Sequence, residues 1–288
     1  MKMKRLISGI IALVLIMGMP VSAFAADWYL EDGDITVSAD NSGQTVSQGS
    51  GAAVADDAPV ISQRDGAAAT DSTITISTSD GATANVTIED VNISSDGDAI
   101  DVGNSSARIT LEGDNKIFSE SGSGIHVSGG DVTITGSGSL EAGSKNDNNN
   151  NAAIGSHEGE DMSGSIHITG DATVKTDDNI ASDCEGDGAG IGTGENGEMS
   201  GNIVIDGNAQ VEVSSNDRGA GIGSGDDGNL SGNIMIGGNA QVSATGAEGS
   251  AGIGTGDDGN FTGSITMDGN ARVTAKAGGD HNGSDGSG

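Results

Sequence analysis

The sequence predicts an all-β chain wound as a parallel β-helix, on three observations. Alternating apolar pairs recur at Val86/Ile88, Ile109/Leu111, Val132/Ile134, Ile166/Ile168, Ile203/Ile205, Ile234/Ile236 and Ile265/Met267, spaced 23, 23, 34, 37, 31 and 31 residues. Segments starting at Ala189, Ala220 and Ala251 are nearly identical, and a looser copy starts at Ala152. No apolar stripe of helical period follows the N-terminal leader. A repeat of 20–50 residues marks a solenoid, propeller or array. Period-2 alternation rich in Ile, Val and Thr selects strands within it.

Each unit reads as three short strands. In the fifth unit they span 189–193, 202–206 and 209–213. A four-stranded propeller blade needs more strands per unit and usually more aromatics, so a coil of three strands stacked on its neighbours fits better. About seven such coils are expected, over residues 73–276. The turn between the second and third strands holds Gly207-Asn208, Gly238-Asn239 and Gly269-Asn270. Gly and Asn tolerate the left-handed backbone of a tight turn. Stacked coils put Asn208, Asn239 and Asn270 in a file, where the amides can bond one another about 4.8 Å apart. Residues 26–72 are less regular and read as a cap with a first coil. Trp28 and Tyr29 are taken as cap residues, because an open coil end exposes strand edges and core. Residues 277–288, rich in Gly, Ser and Asp, read as a flexible tail.

Residues 1–25 read as a cleaved signal peptide. Lys2, Lys4 and Arg5 precede an apolar run from Leu6 to Met19, and small residues stand at Ala23 and Ala25. That order fits a secretory leader, and the run is short for a bilayer span. The expected mature chain is extracellular, holds no membrane segment and is a monomer.

Composition narrows the function. The 288 residues include 51 Gly and only 2% aromatics, with 43 acidic against 11 basic residues and a net charge of −32. Such a chain has too few cations to hold nucleic-acid phosphates. The single Cys excludes an intrachain disulfide and a cysteine-rich zinc site. Cys184 lies between Asp183 and Glu185, whose charges disfavour a thiolate nucleophile. His126, His157, His167 and His281 are far apart in sequence, and no metal site is expected from them. The Gly-x-Gly-x-Gly runs are not a phosphate loop, because no Gly-Lys-Ser/Thr follows.

Gly33–Val37, Asn85–Ile93, Asp98–Val102 and Ile109–Ile117 resemble secreted carbohydrate-binding β-helix domains of anaerobic Gram-positive bacteria, which are similar to pectate lyases in fold. The Ala-Gly-Ile-Gly-Thr-Gly units resemble repeats in large surface proteins of the same bacteria. The resemblance covers roughly residues 30–276. It implies a right-handed β-helix, an extracellular or cell-surface setting, and binding of a polysaccharide or cell-wall glycan, with calcium in some members. No binding motif carries over residue by residue.

Candidate ligand positions come from the inserts between the first and second strands. The interval between those strands is 9 residues from Ile100 to Ile109, 7 from Ile125 to Val132, and 12 in each of the last four units. The longer inserts are acidic, and each ends in an apolar residue: Met162, Met199, Leu230 or Phe261. Stacking places Glu158, Glu195, Asp226 and Asp257 in one file, and Gly159, Asn196, Asp227 and Asp258 in the next. Two unit charges 4.8 Å apart repel by about 0.9 kcal/mol in water and about 3.5 kcal/mol at an effective dielectric of 20. The side chains either splay into solvent or enclose a cation. Ca²⁺ suits Asp, Asn and Gly-rich loops, and the candidate ligands are Glu195, Asn196, Glu198, Asp226, Asp227, Asn229, Asp257, Asp258 and Asn260. The loops match neither an EF-hand nor the Gly-Gly-x-Gly-x-Asp nonapeptide.

A regular rod suits a linear polymer, so non-catalytic polysaccharide binding is the first expectation. A spacer or adhesin stalk is the second. A lyase or hydrolase on the same fold is the third. Lyase chemistry calls for a base beside calcium carboxylates, and Arg108, Lys116, Lys175, Arg218 and Arg272 are scattered. Near-identical units also argue against one asymmetric catalytic constellation. Few aromatics are available for sugar stacking, and Phe118 and Phe261 are both assigned to apolar files.

Overall fold

The computed structural model describes residues 27–65, 68–146, 148–176, 186–215 and 217–279. Strands dominate, and they form three sheets in which nearly all pairing is parallel. The chain visits the sheets in rotation. Asn202–Ile205 lies in a nine-stranded sheet, Gln210–Ser214 in a seven-stranded sheet and Ile222–Gly223 in a ten-stranded sheet, before Asn233–Ile236 returns to the first. Apart from Gly43–Gln48 and Val54–Ala55, the strands pair with their counterparts one turn away, which makes the molecule a parallel β-solenoid.

The core follows from the alternation. Ile203 and Ile205 are buried while Asn202 and Val204 face outward, and register sets Ile203 against Ile234 and Ile205 against Ile236. The fully buried side chains are mostly Ile, whose branched Cβ suits a pleated surface. Met162, Met199 and Leu230 bridge rung to rung and are fully buried, so the ends of the acidic inserts are tied to the body.

The register corrects one expected alignment. Ile109 pairs with Ile134 rather than Val132, and Leu111 pairs with Gly136. The slip is two residues, so every side chain keeps its face. Phe118 is corrected as well. It stands between Ser94 and Gly143 on the outer surface, with the Lys145 Nζ 5.6 Å from its ring centroid. Ile117 fills the inward position instead.

The two ends differ. Near the start, Ile35–Asp40 and Gly43–Gln48 form an antiparallel hairpin at the edge of the ten-stranded sheet. Trp28 is buried there, and its Nε1 donates to Asp56 Oδ2 at 2.9 Å. At the other end the last described rung is open: Ile265 is 37% exposed, although its counterpart Ile234 is fully buried. No helix among the described residues is long and apolar enough to cross a membrane. Cys184, His281, the leader and most of the C-terminal tail lie outside the described residues.

Candidate functional site

Three polar surfaces are built by the stacking. The first is the predicted acidic edge. In the insert loops, Gly159, Asn196, Asp227 and Asp258 share a left-handed backbone with φ of 68°, 61°, 53° and 51°. Asn and Asp are the side-chain-bearing residues that best tolerate it. The amides of Gly159, Asn196 and Asp227 donate to the carbonyls of Glu195, Asp226 and Asp257 in the next rung. These bonds align the two acidic files.

Asp226 is buried, Glu195 and Asp257 are half-buried, and Asn196, Glu198, Asp227, Asn229, Asp258 and Asn260 are exposed. Several exposed polar groups bond within the surface. Asn196 Nδ2 donates to Glu195 Oε1 at 3.1 Å, Ser231 Oγ to Glu198 Oε1 at 3.2 Å, and the Asn260 amide to Asn229 Oδ1 at 3.2 Å.

Arg218 offsets only part of the negative charge along this edge. Burial, then the charges of Glu158, Asp226 and Asp227, push the Glu195 carboxyl above its usual range. Asp226 is raised by burial and by Asp227, although Arg218 Nη1 lies 3.5 Å from its Oδ2. Asp187 joins them from a neighbouring loop. Burial and the charges of Asp226, Asp217 and Glu195 push it up to about 6, and its Oδ1 is buried without a hydrogen-bond partner. Sequence reasoning missed Asp187, which lies outside the inserts.

The second surface is the outer face of the seven-stranded sheet. Register sets Thr173, Gln210, Gln241 and Arg272 in one outward file, and Lys175, Glu212, Ser243 and Thr274 in another. They line a shallow groove of about 360 Å³. Lys175 Nζ pairs with Glu212 Oε2 at 2.7 Å. Beside this face the expected amide ladder is present: Asn270 donates to Asn239 at 3.1 Å, Asn239 to Asn208 at 3.0 Å, and Asn208 to Asp171 at 2.8 Å.

The third surface overturns the expectation that the histidines stay apart. The His126 and His157 rings stack at 3.9 Å between centroids and 8° between planes. His126 sits in Ile125–Val127, opposite Asp101 of Ile100–Gly103. His157 opens the first acidic insert, just past Ile154–Gly155. Asp98 faces one edge of the stack, with His157 Nε2 at 2.7 Å and His126 Nδ1 at 3.6 Å. Asp101 Oδ1 lies 2.9 Å from the same His126 Nδ1. Glu160 Oε2 faces the opposite edge, 2.8 Å from His126 Nε2 and 3.7 Å from His157 Nδ1.

Gly122 makes room for this arrangement, because a Cβ there would overlap the Asp98 carboxylate. The adjacent Ser123 amide donates to Asp98 Oδ1 at 2.7 Å. Burial disfavours the His126 cation, but the hydrogen bonds it donates to Asp101 and Glu160 and the charges of Asp98 and Glu160 raise its pKa to about 9. Burial also opposes the Asp98 and Glu160 anions, yet their bonds to His157 and His126 hold both carboxyls below the usual range. Among the described residues, Asp98, His126 and His157 are the group of His, Cys, Asp or Glu whose ligand atoms all lie within 4.8 Å of one another. The predicted calcium carboxylates do not converge so closely.

Comparison with protein-family models, curated proteins and solved structures finds no match.

Proposed function

We propose that this chain is a secreted or cell-surface solenoid that binds a polysaccharide or cell-wall glycan without cleaving it. The observation that supports the reading is the outer face of the seven-stranded sheet, where Gln210, Gln241, Thr173, Ser243 and Thr274 repeat amide and hydroxyl groups rung after rung. Sugar hydroxyls both donate and accept, as amides do. A ladder at about 4.8 Å per rung offers an extended polymer many similar contacts. We read the coil as right-handed, as crossovers between parallel strands almost always are, and as about seven three-stranded turns behind a leader removed at residue 25 or 26. Calcium belongs to the same reading. The like charges of Glu195, Asp226 and Asp257 and the unpaired Asp187 Oδ1 favour a bound cation.

The test is retention of the purified chain on cellulose, pectin, xylan and mucin, in millimolar calcium and in EGTA. Retention on one polymer is expected, weakened at least tenfold by the Gln210→Ala/Gln241→Ala pair. Release of reducing or unsaturated ends would overturn the non-catalytic assignment. If no polymer retains the chain in calcium, the spacer or stalk reading replaces it. The near-identity of the last three units favours that second reading.

A further inference from the structure

We infer that the stacked histidines form a binding site for one divalent transition-metal ion of the zinc type, with His126 Nδ1, His157 Nε2, Asp98 and Asp101 as ligands and Glu160 as the positioning residue behind them. The site is distinct in chemistry from the calcium edge, since imidazole nitrogen selects zinc-like ions and calcium takes oxygen.

Convergence is the first argument. Asp98 and one nitrogen of each histidine lie within 4.8 Å of one another, with N···O separations of 2.7 and 3.6 Å, and Asp101 Oδ1 approaches from beside His126 Nδ1 at 2.9 Å. Bonds of about 2.0–2.1 Å in a tetrahedral site put neighbouring ligand atoms about 3.3 Å apart. The two Asp98 values, 2.7 and 3.6 Å, bracket that edge length, and Asp101 swings toward the ion to complete the set. A metal ion lies in the plane of the imidazole that binds it. The His157 ring, carried by a loop rather than a strand, therefore tilts out of the stack on loading while its Nε2 stays on the Asp98 edge.

The second argument is the opposite edge. Metal-bound histidines almost always give their other ring N–H to a carboxylate or carbonyl, which fixes tautomer and orientation. Glu160 Oε2 stands in that place for His126, at 2.8 Å, and lies 3.7 Å from the second nitrogen of His157.

Charge is the third. The rings stand only 3.9 Å apart between centroids, a separation at which two cations repel. Three carboxylates nonetheless surround the pair. A dication held by two neutral rings matches those carboxylates without stacking cation on cation.

The test is titration of the chain, carrying no polyhistidine tag, with Co²⁺ followed by its visible absorption, and with Zn²⁺ followed by calorimetry. One equivalent should bind with the intense spectrum of a tetrahedral site, and a large excess of Ca²⁺ should not displace it. His126→Gln and His157→Gln should each weaken binding at least tenfold, and the pair should abolish the spectrum. Glu160→Gln should keep the stoichiometry and lose about tenfold in affinity, within the range for such outer carboxylates. Equal spectra for the wild type and the double variant would overturn the site, as would no visible band in the wild type, which leaves an ion-pair network only. If the double variant does not fold, diethylpyrocarbonate footprinting of the wild type decides. Zn²⁺ should protect His126 and His157 and leave His167 reactive, and unchanged labelling of His126 and His157 would overturn the assignment.

Discussion

One position of the ten-stranded sheet changes character halfway along the solenoid. In the earlier rungs the residue after the buried Ile carries a side chain, Asp101 and then His126. From the next rung onward the same position is glycine, at 155, 192, 223 and 254. These glycines share φ between 139° and 147°, and a Cβ at 155, 192 or 223 would overlap the carbonyl oxygen of the following glycine. The earlier region uses the position for side-chain chemistry. The later region gives it up for close stacking and places its polar groups in the longer inserts. The electrostatic outcomes are opposite: Asp98 and Glu160 are held low by histidine, whereas burial and neighbouring carboxylates push Glu195, Asp226 and Asp187 up. Stacking alone does not set the sign of an electrostatic ladder, because the outcome depends on which residue types fall into register.

The largest expected effect tests the close stacking. Gly192→Ala should cost at least ~3 kcal/mol, because the methyl group has no room and the backbone angle is strained. Gly159→Ala, in the left-handed file but with open space around it, should cost about 1 kcal/mol. Urea midpoints measure both, and equal costs would mean that backbone angle alone explains these glycines.

Next comes the pH dependence of the histidine cluster in a metal chelator. The folded value of about 9 for His126 exceeds the unfolded value near 6.5. Its contribution is therefore complete below pH 6.5 and is lost as pH rises through 9. A fall on the order of 2–3 kcal/mol is expected across that window in the wild type, and a flatter profile in His126→Gln. Identical profiles would remove the contrast between the regions.

The acidic edge should slope in a lower window. Asp187 has a folded value of about 6 against an ordinary 3.8, so the native state holds the extra proton between them. Stability falls as pH rises from 4 through 6. Asp187→Asn should flatten that slope, leaving the part due to Glu195 and Asp226, and raise stability at pH 7 by ~1 kcal/mol, once solvent screening of a half-buried carboxylate is allowed for. Thermal melts of the two proteins at pH 4.5 and pH 7 measure it.

The smallest effect belongs to the exposed amide ladder. Asn239→Ala removes two bonds between neighbouring rungs and should cost ~0.5–1 kcal/mol. A cost several times larger would make the ladder a structural spine of the later region.

The amino-acid sequence alone determined the all-β class, the repeat, the inward files and the Asn ladder. Those features rest on short-range chemistry repeated at intervals: Ile109 and Leu111 alternate with Arg108, Thr110 and Glu112, and Gly207-Asn208 recurs at 238–239 and 269–270. The acidic files were legible for the same reason, since identical inserts stack on themselves. Tertiary structure alone decided the rest. Asp98 and His157 are 59 residues apart, and the loops between them differ in length, so spacing does not show that they meet. The same holds for Asp187 beside Asp226, for the two-residue slip at Ile109 and Ile134, and for Phe118 facing outward. Periodicity says which face a residue takes. Only the register across rungs, set by backbone pairing over long sequence separations, says which side chains touch.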